Sequence, residues 1–336
     1  RGERGRTVSE AGRTRRATLL LGAGVGASVL VGILAGPVSL TPASVWDGLL
    51  HAGSPYAPIV RELRIPRVLL AFLVGGSLSI AGAALQALLR NPLADPYLLG
   101  LSGGAGLGAV LAIAVNPDWP WAVPLAAFIG AAGAVALVYR LSVVSGRRLD
   151  PRVLLLAGVI VGSFAGALMT AIVSVSEAAE LRRAFLWLLG GFGGASWRAV
   201  AVFTVYAAVP IAVVLASGRS LDLLTLGEES ARHLGADVER LKRVIYVATS
   251  LLTAASVAVC GIVGFVGLVV PHAIRRLRTP LHRELLPAAF AGGGAFLVLA
   301  DAVARTVVRP LELPVGAVTA LVGVPLFALL LRRTYL

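Results

Sequence analysis

The sequence predicts an all-α integral membrane protein with about ten transmembrane helices, on three observations. The 336 residues are 57% hydrophobic and only 14% charged, with a mean hydropathy of +0.88. A soluble domain carries about 25% charged residues, so there is too little polar surface here to cover a water-soluble globule. Apolar runs of roughly 20 residues recur along the chain, the length a helix needs to cross about 30 Å of hydrocarbon. Lys and Arg, finally, divide unevenly between alternate connecting segments, which is how a membrane protein sets its orientation.

Spans are expected at 17–36, 66–89, 98–115, 121–142, 153–174, 197–217, 243–260, 262–274, 286–307 and 315–332, the eighth being short. An even number puts both termini on one side, taken as cytoplasmic. The inside segments are then the N-terminal tail, the turn after Leu89, Arg140 to Arg152, Gly218 to Arg243, His272 to Leu286, and the C-terminal Arg332 and Arg333. They hold 22 of the 30 Lys and Arg residues. The outside segments hold eight: Arg61, Arg64, Arg67, Arg182, Arg183, Arg198, Arg305 and Arg309. Nine spans would scramble this asymmetry. The chain divides into a basic cytoplasmic tail, 1–16, and a single ten-span domain, 17–336, whose longest inside loop is 218–243. The basic start followed by an apolar run also fits a signal peptide superficially. That run exceeds the roughly 7–15 residues of a signal h-region, and nine further spans follow, so a retained first span is expected.

The net charge of +13 invites a nucleic-acid reading. Six arginines sit in the first sixteen residues and most others in short loops, so the charge pattern follows membrane topology, and no nucleic-acid partner is expected. The single cysteine, Cys260, excludes an internal disulfide framework and a Cys-based metal cluster. Glycine is frequent, at 39 residues, and often recurs every fourth position, as in Gly100, Gly104, Gly108 and Gly158, Gly162, Gly166. Such ridges let helices approach closely where lipid supplies no hydrophobic drive between them.

Charged side chains inside spans mark ion or proton paths, and here they are scarce. Asp301 and Arg305 are four apart on one helix face and can neutralise each other. Gln86 and His272 lie near span ends. Neither a relay of Asp, Glu and His nor an Asn/Asp cluster for sodium is apparent, which weakens the ion-coupled secondary transporter as an alternative. No elbow serine is paired with a buried histidine, so no catalytic residue is assigned, and no metal site either. No Walker-type phosphate loop is present, so any ATP drive must come from a partner.

The inside loop 218–243 carries apolar Leu223, Leu224, Leu226, Ala231 and Leu234, broken by Gly227 and ended by Gly235. This predicts two short helices, with Glu228 and Glu229 opening the second, where acidic residues suit the helix dipole. Such a pair fits a membrane surface, a partner's groove, or a plain solvated connector.

Glu229-Ser230-Ala231-Arg232-His233-Leu234-Gly235 resembles the EAA-xxx-G signature of ABC importer permeases, with Ser230 in place of the usual alanine. Four further segments are similar to iron-chelate and cobalamin importer permeases of the FecCD type. They are Arg64-Ile65-Pro66-Arg67, the run from Gln86 through Asn91-Pro92 and Asp95-Pro96 to Gly106, Gly264 to His272, and the stretch from Leu299 to Gly316 containing Asp301, Arg305 and Glu312-Leu313-Pro314. The resemblance covers 17 to 333.

It implies a type II ABC importer permease fold in the bacterial cytoplasmic (inner) membrane, moving a ferric siderophore, haem or cobalamin inward by alternating access. It also implies a homodimer, two cytoplasmic ABC ATPase subunits, an extracytoplasmic substrate-binding protein and surrounding membrane lipid. The chain itself would not be an enzyme and would hold no cofactor, with ATP and Mg bound by the ATPase. By resemblance, Leu223, Leu226, Gly227, Glu228, Glu229, Ala231 and Gly235 form the ATPase-coupling segment. Arg64, Arg67 and Arg305 match arginines that receive glutamates from the binding protein. Interfacial snorkelling is the other reading for Arg64 and Arg67, and Asp301 offers Arg305 a partner. Gly190, Gly191 and Phe192, within Phe185 to Trp197, match the outer mouth of the pathway. Gln86 is assigned to the pathway too, and an inside gate is expected near Asp150 to Arg152.

Overall fold

In the computed structural model the backbone is described for residues 2–115, 119–144, 148–277 and 281–335, and side chains for 18–115, 119–143, 149–277 and 281–329. The chain opens with α1 (Gly2–Leu34), followed by the short α2 (Pro42–Leu50) and a π-helical turn (Pro58–Arg64) that runs directly into α3 (Ile65–Leu88). A 3-10 turn (Pro96–Leu99) precedes α4 (Leu101–Val115) and α5 (Ala122–Ser142). The two-residue strands β1 (Val143–Val144) and β2 (Arg148–Leu149) then form a small antiparallel hairpin, Val143 opposite Leu149. Next come α6 (Pro151–Ser174), α7 (Ala178–Leu188), α8 (Trp197–Ala216), α9 (Gly218–Thr225) and α10 (Glu228–His233). The chain closes with α11 (Val238–Cys260), α12 (Val266–Leu277), α13 (His282–Ala304) and α14 (Val315–Tyr335).

Local chemistry sets many of these starts. The side-chain oxygens of Thr41, Asp95, Asp150, Ser196 and Asp237 each accept a backbone N–H two or three residues on, satisfying donors that a helix start leaves orphaned.

Among the described residues, six helical segments are long and apolar enough to cross a membrane: 58–88, 122–142, 151–174, 197–216, 238–260 and 282–304. Three shorter apolar helices, Thr18–Leu34, Leu101–Val115 and Val315–Leu329, match the first, third and tenth expected spans. The expected eighth span becomes α12, whose 12 residues reach only about 18 Å at 1.5 Å per residue. That is shorter than the roughly 30 Å of hydrocarbon, and the helix is entered through an irregular stretch at 261–265. The side chains of the basic tail 1–16 and of Arg332 and Arg333 lie outside the described residues.

The centre of the bundle is α3, α11 and α13, buried over most of their surface, whereas α5, α6 and α8 leave most of theirs open. Glycine brings the inner helices together. A Cβ on Gly75 would collide with the Gly293 carbonyl, joining α3 to α13, and one on Gly82 with the Gly267 carbonyl, joining α3 to α12. On the expected ridge of α4, Gly104 meets Gly130 and Gly108 meets Ala126 in α5. The α6 ridge is used only in part: Gly158 abuts the Leu98 carbonyl, while Gly166 faces open space. The open faces carry large apolar side chains such as Leu156, Ile160 and Phe164 on α6 and Val205 and Val209 on α8. A surface of this kind suits lipid or a protein partner rather than water.

Candidate functional site

On the side poor in positive charge, three arginines converge from distant parts of the chain. The Arg64 guanidinium donates to the carbonyls of Ile33, Leu34 and Val38 at 2.7, 2.8 and 2.6 Å. Arg305 donates to Gly32 and Ala35 at 3.1 and 3.0 Å and pairs with Asp301 at 2.9 Å. Together they occupy most of the carbonyls left unpaired at the end of α1, where positive charge complements the helix dipole. Arg64 is 4% exposed and Arg305 2%, so neither presents an open cationic surface. The expectation of three docking arginines meets a different geometry, because both side chains are drawn inward by the backbone carbonyls of α1. Arg67 retains some exposure, with its side chain 13% open, while bridging Asp301 at 2.9 Å and Glu312 at 2.8 Å.

Beside Arg67 and Glu312 lies a cavity of about 1030 Å³, walled by Trp119, Trp121, Trp187 and the segment Gly190–Gly194. The Arg198 guanidinium stacks over the Trp121 ring at 5.2 Å, a cation–π contact. Trp187 falls within the segment Phe185 to Trp197 matched to the outer mouth, whereas Trp119 and Trp121 escaped the sequence reading, since each sits at a helix border where an interfacial anchor is the ordinary interpretation.

The glycines of this wall divide into two kinds. Gly190 has φ +71, and its carbonyl accepts from Val315 N–H at 3.0 Å while Gly191 N–H donates to the Cys260 carbonyl at 2.7 Å. That turn ties the end of α7 to the end of α11 and the start of α14. Gly191, Gly193 and Gly194 have no atom within 4 Å of where a Cβ would stand. Phe192 lines the wall but is only 1% exposed, so its ring is chiefly packed into the core.

On the opposite side, α9 and α10 fall where two short helices were expected, split at Gly227 (φ +106) and ended at Gly235 (φ +87). Both glycines adopt backbone angles that side chains disfavour. The expected coupling residues do not share one surface. Ala231 is fully buried against Leu224 and Val238, and Leu223 and Glu228 are half-buried, whereas Glu229 and Leu226 are exposed. Leu234, not among the expected coupling residues, is also an exposed apolar side chain of this loop, 60% open against 63% for Leu226.

Gln86 closes the inner end of α3. Its amide donates to the Gly267 carbonyl at 3.1 Å and its oxygen accepts from Arg275 at 2.5 Å. Gln86 is 4% exposed and pins α3 to α12 rather than facing an open passage. Asp150 caps α6, accepting Arg152 N–H at 2.8 Å, and the Arg152 side chain is exposed. A half-buried carboxylate also holds the turn before α4, where Asp95 accepts Tyr97 N–H at 2.9 Å. Burial pushes the Asp95 carboxyl up to about 6 against that single donor.

The FecCD transport family model matches residues 24–333. A cobalamin import system permease protein, BtuC, of Halobacterium salinarum is 42% identical over 97% of this chain and 88% of its own length. The vitamin B12 import system permease BtuC of Escherichia coli is 40% identical over 91% of this chain and 93% of its own. An uncharacterized ABC transporter permease of Bacillus subtilis, YvrB, is 39% identical over 92% and 91%. Among solved structures, an inward-facing metal-chelate type ABC transporter superposes with a TM-score of 0.83 at 28% identity, covering 95% of this chain and 99% of that one. With a multi-pass helical fold shared from end to end, the chain belongs to the FecCD transport family, as a permease of the ABC importer type.

Proposed function

We propose that this chain is the membrane conduit of a bacterial inner-membrane importer for a cobalamin-type metal chelate. It would act as a homodimer with two cytoplasmic ABC ATPase subunits, which bind ATP and Mg, and an extracytoplasmic substrate-binding protein. The observation that carries this reading is the outer cavity. Its volume of about 1030 Å³ is at the upper end of the roughly 300–1,000 Å³ of small-molecule sites. Gly191, Gly193 and Gly194 keep side chains out of space that no packing contact within the protomer requires to be empty. Full-length similarity to cobalamin permeases favours a corrinoid over other chelates of like size.

Arg67 and its surroundings are the docking point for the binding protein in this proposal, with Arg64 and Arg305 holding α1 in place behind it. The exposed Glu229, Leu226 and Leu234 meet the ATPase, while Ala231, Gly227 and Gly235 give the loop its shape. Alternating access follows if movement of this loop opens and closes the inner end of the bundle near Asp150 to Arg152. Asp301 is held between two arginines, which argues against its carrying a coupling ion.

The test is uptake of cobalt-labelled cyanocobalamin into vesicles holding the chain with its ATPase and binding protein. Uptake should require ATP on the ATPase side. ATP-independent uptake by the chain alone would overturn the importer reading. Transport of ferric siderophore in place of the corrinoid would overturn the substrate class only.

A further inference from the structure

We propose that Lys242 is a positioning residue of the transport cycle, locking α10 to the hairpin ahead of α6 so that the two move as one body. The proposal rests on the importer reading above and deepens it.

Lys242 lies in the second turn of α11, and its side chain is 2% exposed. Withdrawing an ammonium from water is unfavourable unless partners replace the solvent. An ammonium has three donors, and here they face three groups. Nζ lies 2.6 Å from Glu228 Oε1, the first residue of α10, and 3.6 Å from Glu239 Oε1 one turn back on α11. It donates to the Leu149 carbonyl in β2 at 3.2 Å. Glu239 completes the arrangement, because its Oε2 accepts the Leu149 N–H at 3.2 Å. Both backbone polar groups of Leu149 are thus held by side chains of α11. Arg232, in the last turn of α10, spans Glu228 at 3.5 Å and Glu239 at 3.3 Å. Two cations and two carboxylates close into a neutral cluster.

The placement gives the cluster a mechanical role. Leu149 is one residue before Asp150, the cap of α6, so hardly any slack separates the lock from a 24-residue helix. The other half of the loop is anchored elsewhere. On α9, Asp222 Oδ1 accepts His282 N–H at 2.6 Å and lies 2.8 Å from His282 Nδ1, fixing α9 to the start of the central helix α13. Between the two halves stands Gly227, with φ +106 and open space around it. A push on α10 is therefore passed through Lys242 and Glu239 at the inner end of α11 to the hairpin and the inner end of α6, while α9, which touches α10 through Leu224 and Ala231, is held to α13. A lysine that merely stabilised the loop would not need to join three separate segments.

The experiment uses vesicles holding the chain with its ATPase and binding-protein partners, with labelled cyanocobalamin as probe. Lys242→Met keeps the apolar stem and removes the charge. Uptake per ATP hydrolysed should fall by about tenfold, within the 5–150-fold of typical coupling free energies, while ATPase association persists. Lys242→Arg should restore most of it. Unchanged uptake per ATP in Lys242→Met overturns the proposal while wild-type uptake leaves the importer reading standing. Absence of ATP-dependent uptake by the wild type overturns both.

A second measurement leaves Lys242 intact, using spin labels at Cys substitutions of His233 and Arg152, and of Arg283 and Arg152. On nucleotide binding the 233–152 distance within a protomer should hold constant and the 283–152 distance should change. A changing 233–152 distance, or a constant 283–152 distance, overturns the proposal.

Discussion

Replacing Asp301 by alanine removes the carboxylate that Arg67 and Arg305 share. Asp301 is fully buried and receives Nε and Nη2 of Arg67 at 3.1 and 2.9 Å and Nε of Arg305 at 2.9 Å. Breaking a buried ion pair from one side costs about 3–5 kcal/mol, because the partner charge stays buried. Both arginines keep other acceptors here: Glu312 for Arg67, and the carbonyls of Gly32 and Ala35 for Arg305. The expected loss is therefore at the low end, about 3 kcal/mol. A chain of this size loses roughly 2 °C in melting temperature per kcal/mol. Thermal unfolding in detergent, followed by tryptophan fluorescence, should then fall by about 6 °C. Glu312→Ala is the internal comparison. Glu312 is 34% exposed, where a lost ion pair costs about 1 kcal/mol or less. A melting temperature for Asp301→Ala equal to wild type, or a larger loss for Glu312→Ala, would refute the reasoning.

Gly82→Ala drives a methyl into the Gly267 carbonyl, and overpacking of this kind costs about 1–3 kcal/mol; lower yield of folded protein by size-exclusion fluorescence checks it. A Cβ on Gly193 meets no atom within 4 Å, so Gly193→Trp should melt close to wild type while uptake of labelled cyanocobalamin falls as the ring fills the outer cavity. For Asp95, burial raises the folded pKa to about 6, so the folded state binds more protons than the unfolded one between about pH 4 and 6. Stability from this group is present at low pH and lost as pH rises through 6. Asp95→Asn, which keeps an acceptor for Tyr97, should therefore raise the melting temperature at pH 7.5 and raise it by only about a third as much at pH 4.5.

What the sequence made legible was whatever depends on local spacing. Gly227 and Gly235 bracket α10 because a break and a stop are written in adjacent residues, and Asp301 and Arg305 meet because a helix brings i and i+4 together. The destinations of Arg64 and Arg305 were not legible. An outside arginine reads alike whether it docks a partner or caps a helix, and the deciding carbonyls belong to α1, 30 and 270 residues away. Lys242 escaped for the same reason: Val-Glu-Arg-Leu-Lys-Arg reads as a solvated helix start, and only the fold brings Glu228 and Leu149 over it. The short eighth span was legible as well, expected at 262–274 and found as α12 over Val266–Leu277.

The anchoring of α1 has a consequence for biogenesis. A ribosome delivers α1 well before α3 and long before α13, yet Arg64 and Arg305 both hold its outer end. Until those segments emerge, that end must rely on water or headgroups to satisfy its carbonyls. Final seating of α1 is thus deferred until α13 has entered the bilayer, making α1 among the last helices to settle although it is inserted early. Truncation before residue 305 should leave a chain whose α1 is held at that end by Arg64 alone, with the Gly32 and Ala35 carbonyls released, and therefore more exposed to membrane quality-control proteases.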